Sequence, residues 1–124
     1  MSLDTLGFKA DQIKTDPESL KFYGRDWTTY FDIKASAIVF PESTEDVVKL
    51  VKWARTNKIS LVPSGGRTGL SGGACALKNE VVVSFEKMNR IKHFEPMDMT
   101  VVCEAGVITE QLQKFAHDKN LFYP

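Results

Sequence analysis

The sequence has only two cysteines, Cys75 and Cys103. Two are too few for a disulfide framework, and they carry no metal-ligand spacing, so reduced thiols in a cytoplasmic protein are the expectation and no metal site is predicted. Long apolar runs are also missing. None approaches the ~18 residues that a membrane span needs, and no basic-then-apolar leader opens the chain. Net charge is lacking too: sixteen basic residues balance sixteen acidic ones, so no global field recruits nucleic acid or an anionic membrane. At 124 residues there is no room for a nucleotide domain beside a separate substrate domain. A composition of 43% hydrophobic and 26% charged residues excludes a disordered chain and fits one globular unit.

The most informative absence is local. From Val47 to Asn79 there is no Asp or Glu, while Lys49, Lys52, Arg55, Lys58, Arg67 and Lys78 fall in that stretch. Five of the eight glycines lie between residues 65 and 73. The neutral total thus averages a positive, glycine-rich middle and acidic flanks. The lysines read as solvated helix residues, whereas Arg67 stands inside the glycine run.

Residues 1–14 show no clear period and are expected to form a loose lead-in. Asp16-Pro17 reads as a cap followed by a first helical residue. Leu20, Tyr23, Trp27 and Phe31 continue at helical spacing, with Gly24 as a weak point. Ala37–Phe40 is a short apolar strand ended by Pro41. Ser43-Thr44-Glu45-Asp46 resembles a capping box. The helix behind it presents Val47, Leu50, Val51 and Ala54 as one buried stripe. Ile59–Val62 is the next strand, stopped by Pro63, and the two strands with the helix between them form a parallel βαβ unit. Val81–Phe85, Ile91–Phe94 and Thr100–Glu104 follow as strands. Thr109 is expected to cap a last helix with Leu112, Phe115 and Ala116 inward, and Leu121–Pro124 reads as the start of another strand. The fold class is therefore α+β, a small mixed βαβ sheet with helices packed on it.

Pro63-Ser64-Gly65-Gly66-Arg67-Thr68-Gly69-Leu70-Ser71-Gly72-Gly73-Ala74 is the segment with chemistry in it. No lysine follows a glycine here, which excludes a Walker loop, and the glycine spacing fails the Rossmann fingerprint. A glycine pair at each end and one in the middle suit a loop whose amides converge on an anion, because glycine takes left-handed angles and lets a bulky group approach the backbone. Ser64, Thr68 and Ser71 could add hydroxyl donors and Arg67 charge. The competing reading is a long hairpin that binds nothing, but five ordered glycines are costly in entropy unless a ligand repays them.

Other candidates read as structural. His93 and His117 suit a turn and a helix end better than catalysis. Cys75 reads as small-residue packing beside the loop, with a reactive thiol as the alternative, and Cys103 as buried packing in a strand. Glu104 either faces a cofactor or bonds nearby amides. Trp27 and Trp53 read as core residues, and Arg25 and Arg90 as members of weak surface ion pairs. No residue is assigned a catalytic role.

The segment Pro63–Ala74 resembles the pyrophosphate loop of the vanillyl-alcohol oxidase type of FAD-dependent oxidoreductases, nearest to the D-lactate, D-2-hydroxyglutarate and glycolate dehydrogenases. Phe40-Pro41-Glu42-Ser43-Thr44-Glu45-Asp46-Val47 is similar to that family's first strand-to-helix turn. Met88-Asn89-Arg90-Ile91 and Cys103-Glu104-Ala105-Gly106 are similar to segments that follow its loop, and Asp26-Trp27-Thr28 to its N-terminal helix region. The resemblance implies FAD as cofactor, with Pro63, Gly65, Gly66, Arg67, Thr68, Gly69, Leu70, Gly72 and Gly73 around its diphosphate; at Arg67 several relatives carry Asn. It divides the chain into an N-terminal lead-in and helix, 1–34, and an incomplete first subdomain of a PCMH-type FAD-binding domain, 35–124. The partners it implies are FAD and the remainder of the polypeptide, a second FAD subdomain and a substrate domain. In the whole enzyme the flavin would oxidise a 2-hydroxy acid, in the cytoplasm or peripheral to the membrane. These 124 residues alone would be inactive and prone to self-association. The alternative is a stand-alone nucleotide or phosphate-metabolite module without catalysis.

Overall fold

The computed structural model describes residues 3–124. Four short strands make the central sheet: Ile13–Lys14 (β1), Ala37–Val39 (β2), Leu61–Ser64 (β3) and Val81–Ser84 (β4), in the spatial order β1-β2-β4-β3. The expected βαβ unit is there with one change. β2 and β3 run parallel, but β4 lies between them and pairs parallel to both. Burial explains the order. β4 is buried along its whole length, as a central parallel strand must be. β3 carries Pro63, which cannot donate to a ladder and so belongs at an edge. At that edge Pro63 does not stop the strand, which continues to Ser64.

The lead-in is more structured than its lack of period suggests; Met1 and Ser2 lie outside the described residues. Short 3₁₀ turns at Leu3–Leu6 and Ala10–Gln12 precede β1, which pairs antiparallel with β2, Ile13 opposite Val39. A polar residue secures the segment. Gln12 is buried, and its Nε2 donates to the Phe40 carbonyl (3.2 Å) and to Asp46 Oδ2 (3.0 Å).

Helix α1, Pro17–Tyr23, begins where the cap predicts, with the Ser19 N–H donating to Asp16 Oδ1 at 2.8 Å. It stops at Gly24, whose N–H closes the last turn on the Leu20 carbonyl. Trp27 therefore lies beyond the helix and is 73% exposed, not a core residue. Helix α2, Thr44–Asn57, is capped by Ser43, which accepts from the Asp46 N–H at 3.2 Å. The capping box is displaced by one residue, because the Asp46 carboxylate accepts from the Glu42 N–H rather than from Ser43. The buried face is Leu50, Trp53 and Ala54, while Val51 is 49% exposed.

Strand alternation sorts the core into two layers. Ala37, Val39, Val81 and Val83 meet Leu50, Trp53 and Ala54 of α2, with Leu3, Leu6 and Phe8 packed alongside. Ile38, Phe40, Val62 and Val82 face the other way, with Ala35 and Ala76, toward Leu20 and Tyr23 of α1. Beyond this core, Ile91–Glu95 (β5) and Thr100–Cys103 (β6) form a separate antiparallel hairpin. Helix α3, Thr109–His117, packs on it through an edge-to-face contact of Phe94 and Phe115 at 5.8 Å. Three expectations are corrected here. The cap position is Ile108, not Thr109, and no side chain fills it. Cys103 is exposed, because a two-stranded ribbon covered by one helix buries little of β6. Residues 121–124 form no strand. No helix among the described residues is long and apolar enough to cross a membrane.

Candidate functional site

The glycine loop leaves β3 at its C-terminal end, the edge at which open α/β sheets take ligands. Its backbone is divided. Among the described residues, no N–H from Gly65 to Ser71 has a protein acceptor. A Cβ added at Gly65, Gly66 or Gly73 would meet nothing within 4 Å. The fold itself does not require glycine at these three positions. Gly72 is different: its φ is +75°, and an added Cβ would lie 2.5 Å from Phe31 Cε2. Arg67 also takes a left-handed conformation, with φ 59°.

The second half of the loop is tied to the segment that follows α1. Gly69 accepts at its carbonyl from the Trp27 N–H (3.0 Å), and the Gly72 N–H donates to Asp26 Oδ2 (2.8 Å). Beyond the loop, the Ala76 N–H donates to the Gly24 carbonyl at 2.8 Å. Asp26 is 5% exposed and fully engaged. Its Oδ1 accepts from the Thr28 N–H (2.9 Å), the Thr28 hydroxyl (2.7 Å) and the Cys75 thiol (3.3 Å). The two donors of Thr28, above all its hydroxyl, hold the carboxyl below its ordinary range, with Cys75 and Gly72 adding to the effect. Sequence reasoning missed this carboxylate, although the Asp26-Trp27-Thr28 turn carries a local signal, an Asp whose side chain bonds the N–H two residues on.

Arg67 lies inside the loop, but its guanidinium stacks on α1. It sits 4.7 Å from the ring centroids of both Phe22 and Tyr23, with Nη1 3.8 Å from Glu86 Oε2. Thr68, Leu70 and Ser71 are exposed, and Ser64 is buried. The Ser64 hydroxyl and that of its register partner Ser84 have no hydrogen-bond partner among the described residues. A cleft of about 410 Å³ opens between Gly66–Thr68 and the segment from Phe22 to Thr29.

The remaining candidates take structural places. Glu104, buried at the end of β6, accepts from the Arg90 N–H (2.9 Å) and from its guanidinium (Nη2 at 2.6 Å). Those Arg90 bonds, the guanidinium first, hold its pKa at about 2. Glu104 thus bonds a nearby amide, and Arg90 makes a multiply bonded pair. His93 is exposed near Glu95, and His117 is exposed at the end of α3. Trp53 is buried under the sheet.

Residues 35–124 match the family described as FAD binding domain. This chain belongs to that FAD-binding domain family. FAD is accordingly its cofactor, and an FAD-binding domain must supply donors and clearance for a diphosphate; the open amides and empty space at Gly65 and Gly66 fit that need. The D-2-hydroxyglutarate dehydrogenase of Stutzerimonas stutzeri (strain A1501) is 57% identical over 113 residues, covering 91% of this chain and 24% of that protein. The fold also appears in a solved alkyldihydroxyacetonephosphate synthase, with a TM-score of 0.81 and 20% identity over 96% of this chain and 28% of that one. A solved p-cresol methylhydroxylase gives a TM-score of 0.75 with 23% identity, over 90% of this chain and 22% of that one. The α+β architecture is thus that of the PCMH-type domain. The chain spans about a quarter of the length of the curated relatives it matches.

Proposed function

We propose that this chain is the FAD-diphosphate-holding part of a flavin-dependent dehydrogenase that oxidises a 2-hydroxy acid of the D-2-hydroxyglutarate type. The loop 65–73 is the seat of the diphosphate. The observation that carries this reading is the coincidence of open N–H groups from Gly65 to Ser71 with clear space at Gly65, Gly66 and Gly73. Glycine is costly to order, and at these positions the fold gives no return for it. An approaching ligand does. In this arrangement the diphosphate accepts from backbone amides, while Thr68 and Ser71 are exposed beside them with hydroxyls to offer. The bound flavin supplies the hydride-accepting chemistry; the residues of this chain bind and orient it.

The relatives' names support the hydroxy-acid class, D-2-hydroxyglutarate above D-lactate. With a family match over 35–124, a stand-alone phosphate module is the weaker reading. The exposed Val102, Ile108 and Phe122 near the hairpin and α3 suit contact with the remainder of a longer polypeptide, and self-association when that remainder is missing. Both cysteines are free, as a reducing compartment keeps them, and the cytoplasm is the proposed location.

The test is anaerobic reduction of the bound flavin in the protein at its full natural length. D-2-hydroxyglutarate is expected to bleach the flavin absorbance faster than D-lactate or glycolate at equal concentration. Bleaching by none of the three would refute the substrate class.

A further inference from the structure

We infer that Asp26 is a positioning residue for FAD: its buried carboxylate fixes the glycine loop in the conformation that leaves the amides of residues 65–71 open. This rests on the reading of the loop as the diphosphate seat. Asp26 lies outside residues 35–124, which match the FAD-binding domain family, and so outside the unit that the match defines.

Three observations carry the inference. First, both carboxylate oxygens are used, and they join distant parts of the chain: Oδ2 takes the Gly72 N–H, while Oδ1 takes Thr28 and the Cys75 thiol. The carboxylate occupies one loop amide, and it does so at Gly72, where φ is +75° and the chain turns. Second, the neighbouring Trp27 N–H holds the Gly69 carbonyl. In a planar trans peptide the carbonyl and the following N–H point in opposite directions, so the Leu70 N–H is turned away from the 26–28 segment. The two ties together set the orientation of the peptides on either side of Leu70–Ser71. Third, the bonds that the Asp26 carboxylate accepts from Gly72 and Thr28 are charge-assisted and short, the kind that fix geometry as well as add energy. A loop already held in its binding shape avoids most of the ordering cost of taking up a ligand.

Asparagine at this position keeps the volume but not the function. In either orientation its amide NH₂ replaces one acceptor and faces an N–H that needs one. The test is the FAD dissociation constant of the protein at its full natural length, with four variants. Asp26→Asn is expected to weaken FAD by about tenfold or more, and Thr28→Val, which removes one donor to the carboxylate, to weaken it less. Leu50→Val, buried in the α2 layer, lowers the melting temperature without touching the loop and should leave FAD affinity unchanged. Gly66→Val, which has free space around it in the fold, tests the loop itself. If Gly66→Val weakens FAD and the two variants at Asp26 and Thr28 do not, the role of Asp26 is wrong and the loop reading stands. If Gly66→Val has no effect, the loop reading fails and takes the inference with it. An equal loss in Leu50→Val and Asp26→Asn would reduce Asp26 to general stability and overturn the proposal.

Discussion

Replacing Gly72 by alanine and Gly66 by alanine should have opposite effects on stability, although the two glycines lie six residues apart in one loop. At Gly72 the φ of +75° is a left-handed conformation that costs an L-residue about 1–2 kcal/mol. The added Cβ would also lie 2.5 Å from Phe31 Cε2. Ordinary carbon contacts sit near ~3.5–4.0 Å, so the ring must move by about 1 Å. Phe31 is partly exposed and can turn, which keeps that part of the cost to about 1 kcal/mol. Gly72→Ala should therefore destabilise by about 1–3 kcal/mol in all. At Gly66 the backbone is in an ordinary region and an added Cβ meets nothing. There alanine restricts the unfolded chain alone and stabilises by about 0.4–1 kcal/mol. Urea denaturation of the flavin-free protein reads both, as a shift in midpoint with an unchanged slope. Equal losses from the two variants would refute the division of the loop into glycines needed by the fold and glycines left free for a ligand.

Ser43→Ala removes the cap that accepts from the Asp46 N–H and should cost about 1 kcal/mol in the same assay, with α2 otherwise intact by circular dichroism. Glu104 predicts a pH dependence. Its pKa is held at about 2 by Arg90, below the ordinary 4.5, so its contribution to stability is present above 4.5 and is lost as pH falls toward 2. The stability gap between the wild type and Glu104→Gln should be constant above that window and narrow within it; a gap that widens on acidification contradicts the pairing. The 124-residue chain on its own should self-associate with rising concentration in sedimentation velocity, through its exposed hairpin and α3 residues; a strictly monomeric chain refutes that use of the surface.

What was legible in the sequence is what short-range chemistry decides. The caps at Asp16 and Ser43 act within three residues, and both helices begin where those residues stand. The glycine segment stood out by composition alone, and its open amides fit the anion reading. Long-range relations were not legible. No local pattern tells that β4 inserts between β2 and β3; the whole-strand burial of Val81–Ser84 and the edge preference of Pro63 explain it afterwards. Gln12 and Asp26 are polar residues buried by partners far along the chain, 28 and 46 positions away respectively. Hydrophobic periodicity is blind to both. Helical spacing also carries α1 through Trp27, where Gly24 ends it, and counts Val51 into the buried stripe of α2, where the structure buries Trp53 beside Leu50 and Ala54 instead.

The central claim is that the loop 65–73 holds the diphosphate of FAD through its backbone, and one variant tests it most directly. Gly66→Val places a side chain into space that the fold leaves empty, so folding should be unaffected while a ligand at the amides is obstructed. Titration of the protein at its full natural length with FAD should show an affinity at least about tenfold weaker than wild type, equivalent to ~1.4 kcal/mol, with a melting temperature in the absence of flavin no lower than that of the wild type. Wild-type affinity in Gly66→Val would place the diphosphate elsewhere and contradict the account.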